Sequence, residues 1–540
     1  MRIRFPRSLH LSALVLLCAF DATPALANVD GTLDSSLAPP LGIDPFFGTP
    51  GLFEYLIDLG GTGTYLNNDY VAATAVQIDG KILAAGWSWN TYLGTDQNAC
   101  VLTRFNQDGT LDTTFGGSAD GRIILNFNPS TENDCYISAL ALQGDGKIVA
   151  AGNLWDATHG ERGIVFRFDA NGTRDDGFNN GVSANHGYVI AGDNSAFSAV
   201  VIDNDDSIIS VGHATRAGFS DEDFFYEIWA GGNGNAISWN WVPFNLGGDN
   251  DDRAYAAVLQ NVPSVIALAP AGVGPDGIVF THRELYLVGS ANRAAYPDGL
   301  ANHDCAVVGL YNSGSGWNAD GTFGSGGKLT MDFPVGSAGE GDNICRAAVA
   351  RPGSGAAWGG YGVIVGGESY FLSTLGGGNP GVASNYALAD VDGTGAVTRE
   401  DSFAFFQALP TPGIYNGIFG MVREPNGKLV VSGYAGTSDV NYQLSDAGVI
   451  RFNADFSRDS TFGNSGAGLA IMSLDGLGGL FSHQREWATA LALDNRGHIV
   501  LTGERSVLYP GNDYDWLVGR LNTSDEIFRD SFDGVVPPVQ

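Results

Sequence analysis

Apolar residues along this chain fall into short runs separated by Gly, Asp and Asn, and the runs come in groups of four. In the first group they are Ala72 to Gln77, Lys81 to Ala85, Cys100 to Phe105 and Arg122 to Phe127, named a to d in chain order. Polar and apolar positions alternate only partly, and β-branched or aromatic residues are common in b, c and d, as in half-buried strands. Asp79-Gly80 and Asp145-Gly146 stand between a and b. A tight hairpin there needs positive φ at two successive residues, which Asp-Gly tolerates. No stretch shows the period of an amphipathic helix.

Run b closes on a glycine in every group. QIDGKILAAG ends at Gly86, LALQGDGKIVAAG at Gly152, VREPNGKLVVSG at Gly433 and LALDNRGHIVLTG at Gly503. Weaker copies end at Gly212, Gly289 and Gly367, which makes seven units. A second signature covers c and the turn after it: CVLTRFNQDGTLDTTFG from Cys100, IVFRFDANGTRDDGF from Ile164, VVGLYNSGSGWNADGTFG from Val307 and GVIRFNADFSRDSTFG from Gly448. A lone twisted sheet cannot bury both faces, whereas a ring of sheets can. The expected fold is therefore all-β, a seven-bladed β-propeller of four-stranded antiparallel blades.

The chain ends predict how the ring closes. Residues 28 to 37, NVDGTLDSSL, copy the c to d turn, and FEYLID from Phe53 to Asp58 reads as a d strand with no a, b or c before it. The last unit has a (Ala488 to Leu493), b (His498 to Thr502) and c (Trp516 to Leu521) but no d. The N-terminal run is expected to become the outer strand of the last blade, which removes an exposed edge. The expected division is 28–49 packing on the last blade, 50–532 as the propeller and 533–540 as a tail.

Composition agrees with many turns and few helices: Gly supplies 77 of 540 residues and charged residues only 16%. A net charge of −32 sets the chain against phosphate backbones and anionic lipid headgroups, which excludes nucleic acid as a partner. Residues 1 to 27 read as an export signal, with Arg2, Arg4 and Arg7, an apolar run from Leu9 to Phe20, and Ala25-Leu26-Ala27 for cleavage. That run is shorter than the roughly 20 residues needed to span a bilayer, and no later run reaches that length. A secreted, periplasmic or cell-surface monomer without a transmembrane segment is expected.

The order of an apolar strand, D-G-K, I/V-V-x-A/S-G, a polar loop and R-F/L-N-x-D-G-T-L-D-x-x-F-G resembles the delta-sixty repeat family of bacterial β-propellers. The match is close over residues 72 to 127, 138 to 190, 419 to 472 and 488 to 532 and weak in the three middle units. The resemblance implies a secreted or surface propeller and brings no catalytic residues.

Strand direction puts the b to c and d to a connections on one rim, where nearly all length variation falls, and variable loops on a rigid scaffold are where binding usually sits. Trp87, Trp89, Tyr92, Trp155 and His159 fall there, as do acids just before strand a such as Asp134 and Asp251. The functional reading is a non-enzymatic surface for a protein or carbohydrate ligand, with rings as platforms and carboxylates as hydrogen-bond acceptors. The structural reading is that the rings cover blade tops and the acids cap turns. Other classes are a secreted carbohydrate-active enzyme using two rim carboxylates, or a purely structural surface protein. No H-E-x-x-H, G-x-S-x-G or P-loop motif occurs.

DVDGTGAVTRED, Asp390 to Asp401, resembles the calcium loop of EF-hand and dockerin modules, with Asp390, Asp392, Thr394 and Asp401 as ligands and calcium as a possible cofactor. It also occupies the c to d position of its unit, where the alternative is a plain repeat turn. Of the cysteines left after export, Cys100 and Cys305 open c strands while Cys135 and Cys345 open the following a strands. Register thus predicts disulfides Cys100–Cys135 and Cys305–Cys345, each tying one blade to the next.

Overall fold

The computed structural model describes residues 32–34, 36–37, 46–49, 52–55, 57, 59, 68–92, 95–117, 120–127, 134–179, 187–244, 251–264, 279–293, 302–312, 316–333, 342–351, 360–374, 380–403, 415–436, 445–463, 468–472, 484–507 and 513–523. The export segment and the 533–540 tail lie outside these residues. The chain is all-β, and among the described residues the strands form six sheets: four of four strands, one of five and one of nine. Unit one is Asp69–Val76, Ile82–Tyr92, Thr95–Phe105 and Arg122–Leu125, paired in that order. Unit two is Asp134–Leu142, Ile148–Asp156, Gly160–Phe168 and Tyr188–Asp193, and unit three is Ser195–Ile202, Ile208–Thr215, Glu222–Trp229 and Ala236–Val242. The nine-stranded sheet holds the sixth and last sequence units, which meet through a single parallel pair, Ser445 with Arg485.

Strand b shows why alternation is partial. Ile82, Leu83, Ala84 and Ala85 are all fully buried, because each sheet is covered on both faces by its neighbours. Leu83, Cys100 and Phe115 of unit one pack with Ile137, Ile148 and Phe166 of unit two, and each core is likewise shared by two units. Burying one such side chain contributes about 1.5–3 kcal/mol.

The repeat glycine answers a close approach. Strand a carries a bulge in each unit, and a Cβ on Gly86 would lie 1.8 Å from the Tyr70 carbonyl oxygen. The same collision awaits a Cβ at Gly152, Gly212, Gly289, Gly367, Gly433 and Gly503, at 1.7–2.0 Å from a strand a carbonyl. The a to b turns differ from expectation. Gly80 has φ +81° while Asp79 stays out of the left-handed region, and Gly80 N–H donates to Gln77 O across a turn closed by Gln77 N–H to Lys81 O. One glycine at positive φ plus the Asp79 carboxylate accepting from Lys81 N–H replaces the two-residue turn.

The R-F…D-x-x-F signature is a buried clamp. Arg104 Nε donates to Asp112 at 2.7 Å, its guanidinium lies 4.5 Å from the Phe115 ring, and Nη1 reaches Ala170 O of unit two at 2.6 Å. Arg167 repeats this with Asp175, Phe178 and Gly232 O of unit three. Units one and two therefore each grip the next through one arginine.

The N-terminal strand Leu52–Tyr55 pairs antiparallel with Asp513–Leu521 of the last unit, as the truncated repeats require. A further strand, Phe46–Thr49, lies outside it, so the expected outermost strand is covered in turn. Tyr55, Phe105 and Trp516 share one core between the last and first units.

Candidate functional site

Strand b runs on past its glycine to Tyr92 and folds back as a long hairpin, so Trp87, Trp89 and Tyr92 stand on a strand where a loop was expected. The residue after each repeat glycine faces the bulged part of strand a: Trp87 pairs with Tyr70, Asn153 with Tyr136, His213 with Ala196 and Glu504 with Trp487. These positions line the loop-rich end of the sheets. Between units one and two they produce a row of rings. Tyr70 stacks on Tyr514 at 5.0 Å and on Trp87 at 5.1 Å, and Trp87 meets the edge of Tyr136 at 5.3 Å.

A cleft of about 650 Å³ opens beside this row, walled by Trp87, Asp134, Tyr136, Asn153, Trp155 and Glu161. Trp155 is 43% exposed and presents its indole to solvent. Asn98 Nδ2 donates to the Tyr136 hydroxyl at 2.9 Å, and Asn153 Nδ2 donates to Glu161 at 2.7 Å. Burial, with the Asp134 charge beside it, pushes the Tyr136 phenol up to about 12, so it stays protonated at neutral pH. Burial also pushes the Glu504 carboxyl, close to Tyr70, up to about 8. The cleft thus joins aromatic faces to carboxylates and amides, a combination suited to ligands with apolar faces and hydroxyl edges.

The acids before strand a hold neighbouring units together. Asp134 accepts the Asn98 backbone N–H at 2.8 Å, Asp251 accepts that of Glu222 at 3.0 Å, and Asp342 accepts that of His303 at 2.7 Å. Each bond runs from the start of strand a to the start of strand c in the preceding unit. The disulfides Cys100–Cys135 and Cys305–Cys345 occupy the same contact, with Cα atoms 5.0 and 5.1 Å apart. Strand a of one unit lies directly against strand c of the unit before, which supplies the reach these bridges need.

Of the rim residues singled out in the sequence, Trp87, Asp134 and Trp155 converge on the cleft. Trp89 stands outside its lining, the Tyr92 side chain lies outside the described residues, and Asp251 belongs to the junction after unit three. Tyr136, Asn153 and Glu161 were missed, although Tyr136 and Asn153 sit at the positions that Tyr70 and Trp87 hold in unit one. The calcium-like string forms a hairpin between strands c and d of its unit. Asp390 lies near the end of strand c, which runs from Pro380 to Asp392, and pairs with Arg351 at 2.7 Å, Asp392 caps its own turn through Thr394 and Ala396, and Asp401 lies on the next strand opposite Leu388. Among the described residues, Glu161, His213 and Glu222 do bring three metal-ligating atoms within 4.8 Å of one another.

No curated protein matches the chain. A family model described as a domain of unknown function (DUF5122), beta-propeller, matches residues 77–115 and 143–178. Among solved structures, the β-propeller domain of the Trilobed protease from Pyrococcus furiosus aligns at 8% identity and TM-score 0.39, covering 87% of this chain and 99% of that one. An α-L-arabinofuranosidase of Fusarium graminearum with arabinobiose aligns at 9% identity and TM-score 0.36, covering 88% and 98%. An N-acetylgalactosamine deacetylase from F. plautii aligns at 11% identity and TM-score 0.30, covering 66% and 96%. With sheets packed face to face around shared cores, and a propeller family model matching two of its repeats, the chain is a β-propeller built from sequence repeats.

Proposed function

We propose that the chain is an exported, seven-bladed, non-enzymatic propeller of the delta-sixty type that binds a carbohydrate in the cleft between its first two blades. The observation that carries this reading is the exposed Trp155 indole facing a cleft shared with Trp87, Asp134 and Glu161. A pyranose presents an apolar face to such a ring and hydroxyls to the carboxylates and the Asn153 amide. Seven blades are supported by the seven equivalent glycines pressed against strand a, and by the single parallel pair that alone joins the two halves of the nine-stranded sheet. Export is supported by the two disulfides, which persist in oxidising compartments. Binding is favoured over glycoside hydrolysis because the rim carboxylates Asp134 and Asp251 each accept a backbone N–H of the neighbouring unit.

A glycan array probed with the purified mature protein tests the proposal. Selective retention on one class of oligosaccharide supports it. A correctly folded protein that binds no glycan, or one that releases reducing sugar from the glycan it binds, contradicts it.

A further inference from the structure

Glu161 stands near the start of strand c in unit two, Glu222 opens strand c of unit three, and His213 follows the repeat glycine on strand b of unit three. In the register of unit three, His213 pairs with Phe224 and Thr215 with Glu222, so His213 and Glu222 lie on one sheet face. Glu161 approaches that face from the neighbouring sheet. His213 Nε2 lies 3.6 Å from Glu161 Oε2 and 3.7 Å from Glu222 Oε2. The imidazole is only 9% exposed, and its Nδ1 has no hydrogen-bond partner among the described residues. Both Nε2 separations exceed a hydrogen bond, so a nearly buried ring aims its nitrogen between two carboxylates without bonding to either.

We infer that these three side chains form a binding site for a first-row divalent cation such as Zn²⁺. On a tetrahedral ion with bonds of about 2.0–2.2 Å, ligand atoms stand about 3.3–3.6 Å apart, close to the two separations that His213 Nε2 shows here. The imidazole nitrogen selects this class of ion, since calcium and magnesium favour all-oxygen shells. Of the two carboxylates, Glu161 is oriented from behind. Asn153 Nδ2 holds Glu161 Oε1 at 2.7 Å, which leaves Oε2 turned to His213. The Arg253 guanidinium pairs with Glu222 Oε2, the oxygen that faces His213 and that an ion would share with it, and Asp251 fixes the Glu222 backbone. Outer groups of this kind set the direction of metal ligands and strengthen their hold. Three protein ligands leave at least one position open. The Glu161 side chain is 37% exposed, so that opening faces the cleft. The site shares Glu161 with the cleft, and metal binding by the protein without a glycan is read separately from carbohydrate binding.

The test is calorimetric titration of chelator-treated mature protein with Zn²⁺, repeated with His213→Gln and Glu161→Gln. One equivalent should bind, and each substitution should weaken it by at least about tenfold with an unchanged melting temperature. Co²⁺ should give visible absorption bands of an ion bound through nitrogen and oxygen, lost in His213→Gln, and excess Ca²⁺ should displace neither ion. Should His213→Gln fail to fold, the partly exposed Glu161→Gln still decides the question. Absence of binding by the parent protein, or equal affinity in parent and folded variants, overturns the site.

Discussion

Arg520 Nε donates to Asp34 Oδ2 at 2.7 Å across 486 residues of sequence, and both side chains are almost fully buried. The pair repeats what Arg104 and Asp112, or Arg451 and Asp459, do within a single unit. Arg520 Nη1 also reaches Gln107 O of unit one at 2.7 Å. The clamp that links successive units thus closes the ring, with its acid supplied by the other end of the chain. Burial alone would raise the Asp34 carboxyl, but the Ser36 N–H and hydroxyl, Arg520 and His498 outweigh it and hold Asp34 below its ordinary value.

Asp34→Ala leaves Arg520 buried without its carboxylate, and breaking such a pair costs about 3–5 kcal/mol. Denaturant unfolding should show that loss together with early release of Leu52–Tyr55, seen as hydrogen exchange along Asp513–Leu521. Because the Asp34 carboxyl is depressed, its contribution is full above the unfolded value near 3.8 and disappears as pH falls through the folded value. The deficit of Asp34→Ala relative to the parent should therefore shrink below about pH 4. A constant deficit down to pH 2 would show that the ion pair is not its cause.

Gly152→Ala puts a methyl group 1.8 Å from the Tyr136 carbonyl oxygen, and only a backbone shift can relieve the collision. The expected loss is about 3 kcal/mol, at the upper end of ordinary overpacking. Gly192→Ala, where an added Cβ meets nothing within 4 Å, should be nearly neutral. Equal melting temperatures for these two variants would remove the steric account of the repeat glycine.

Glu227 is 7% exposed on strand c of unit three, and burial pushes its carboxyl up to about 7. Between pH 4.5 and about 7 the folded state keeps a proton that the unfolded state has released, so stability falls as pH rises through that window. Glu227→Gln keeps the shape and removes the titration. Its melting temperature should gain on the parent as pH rises from 5 to 8, and parallel profiles would contradict this origin.

The repeat, the borrowed N-terminal strand and both disulfides were legible because each depends on register, and register survives in the copied strings around Gly86, Gly152, Gly433 and Gly503. The extent of the b to c hairpin was not. Its upper half, Trp87 to Tyr92, is absent from the copied string, so strand and loop look alike there. Asp134 and Asp251 were visible as acids before strand a, but their partners, the Asn98 and Glu222 amides, belong to the preceding unit and carry no side-chain signature. The fold of the calcium-like string was hidden for the opposite reason. Its spacing fits a loop, while the strand on either side imposes a hairpin. His213 was invisible because it is the divergent copy of a position that reads Trp87 in unit one and Asn153 in unit two.

Binding in the cleft is tested most directly by titrating the parent and Trp155→Ala with the oligosaccharide best retained on the array. Trp155 is 43% exposed, so its removal should leave the fold and the melting temperature intact. Loss of one stacking platform should weaken binding by at least about tenfold, corresponding to 1.4 kcal/mol. Unchanged affinity in the variant would place the ligand elsewhere on the propeller and contradict the assignment of this cleft.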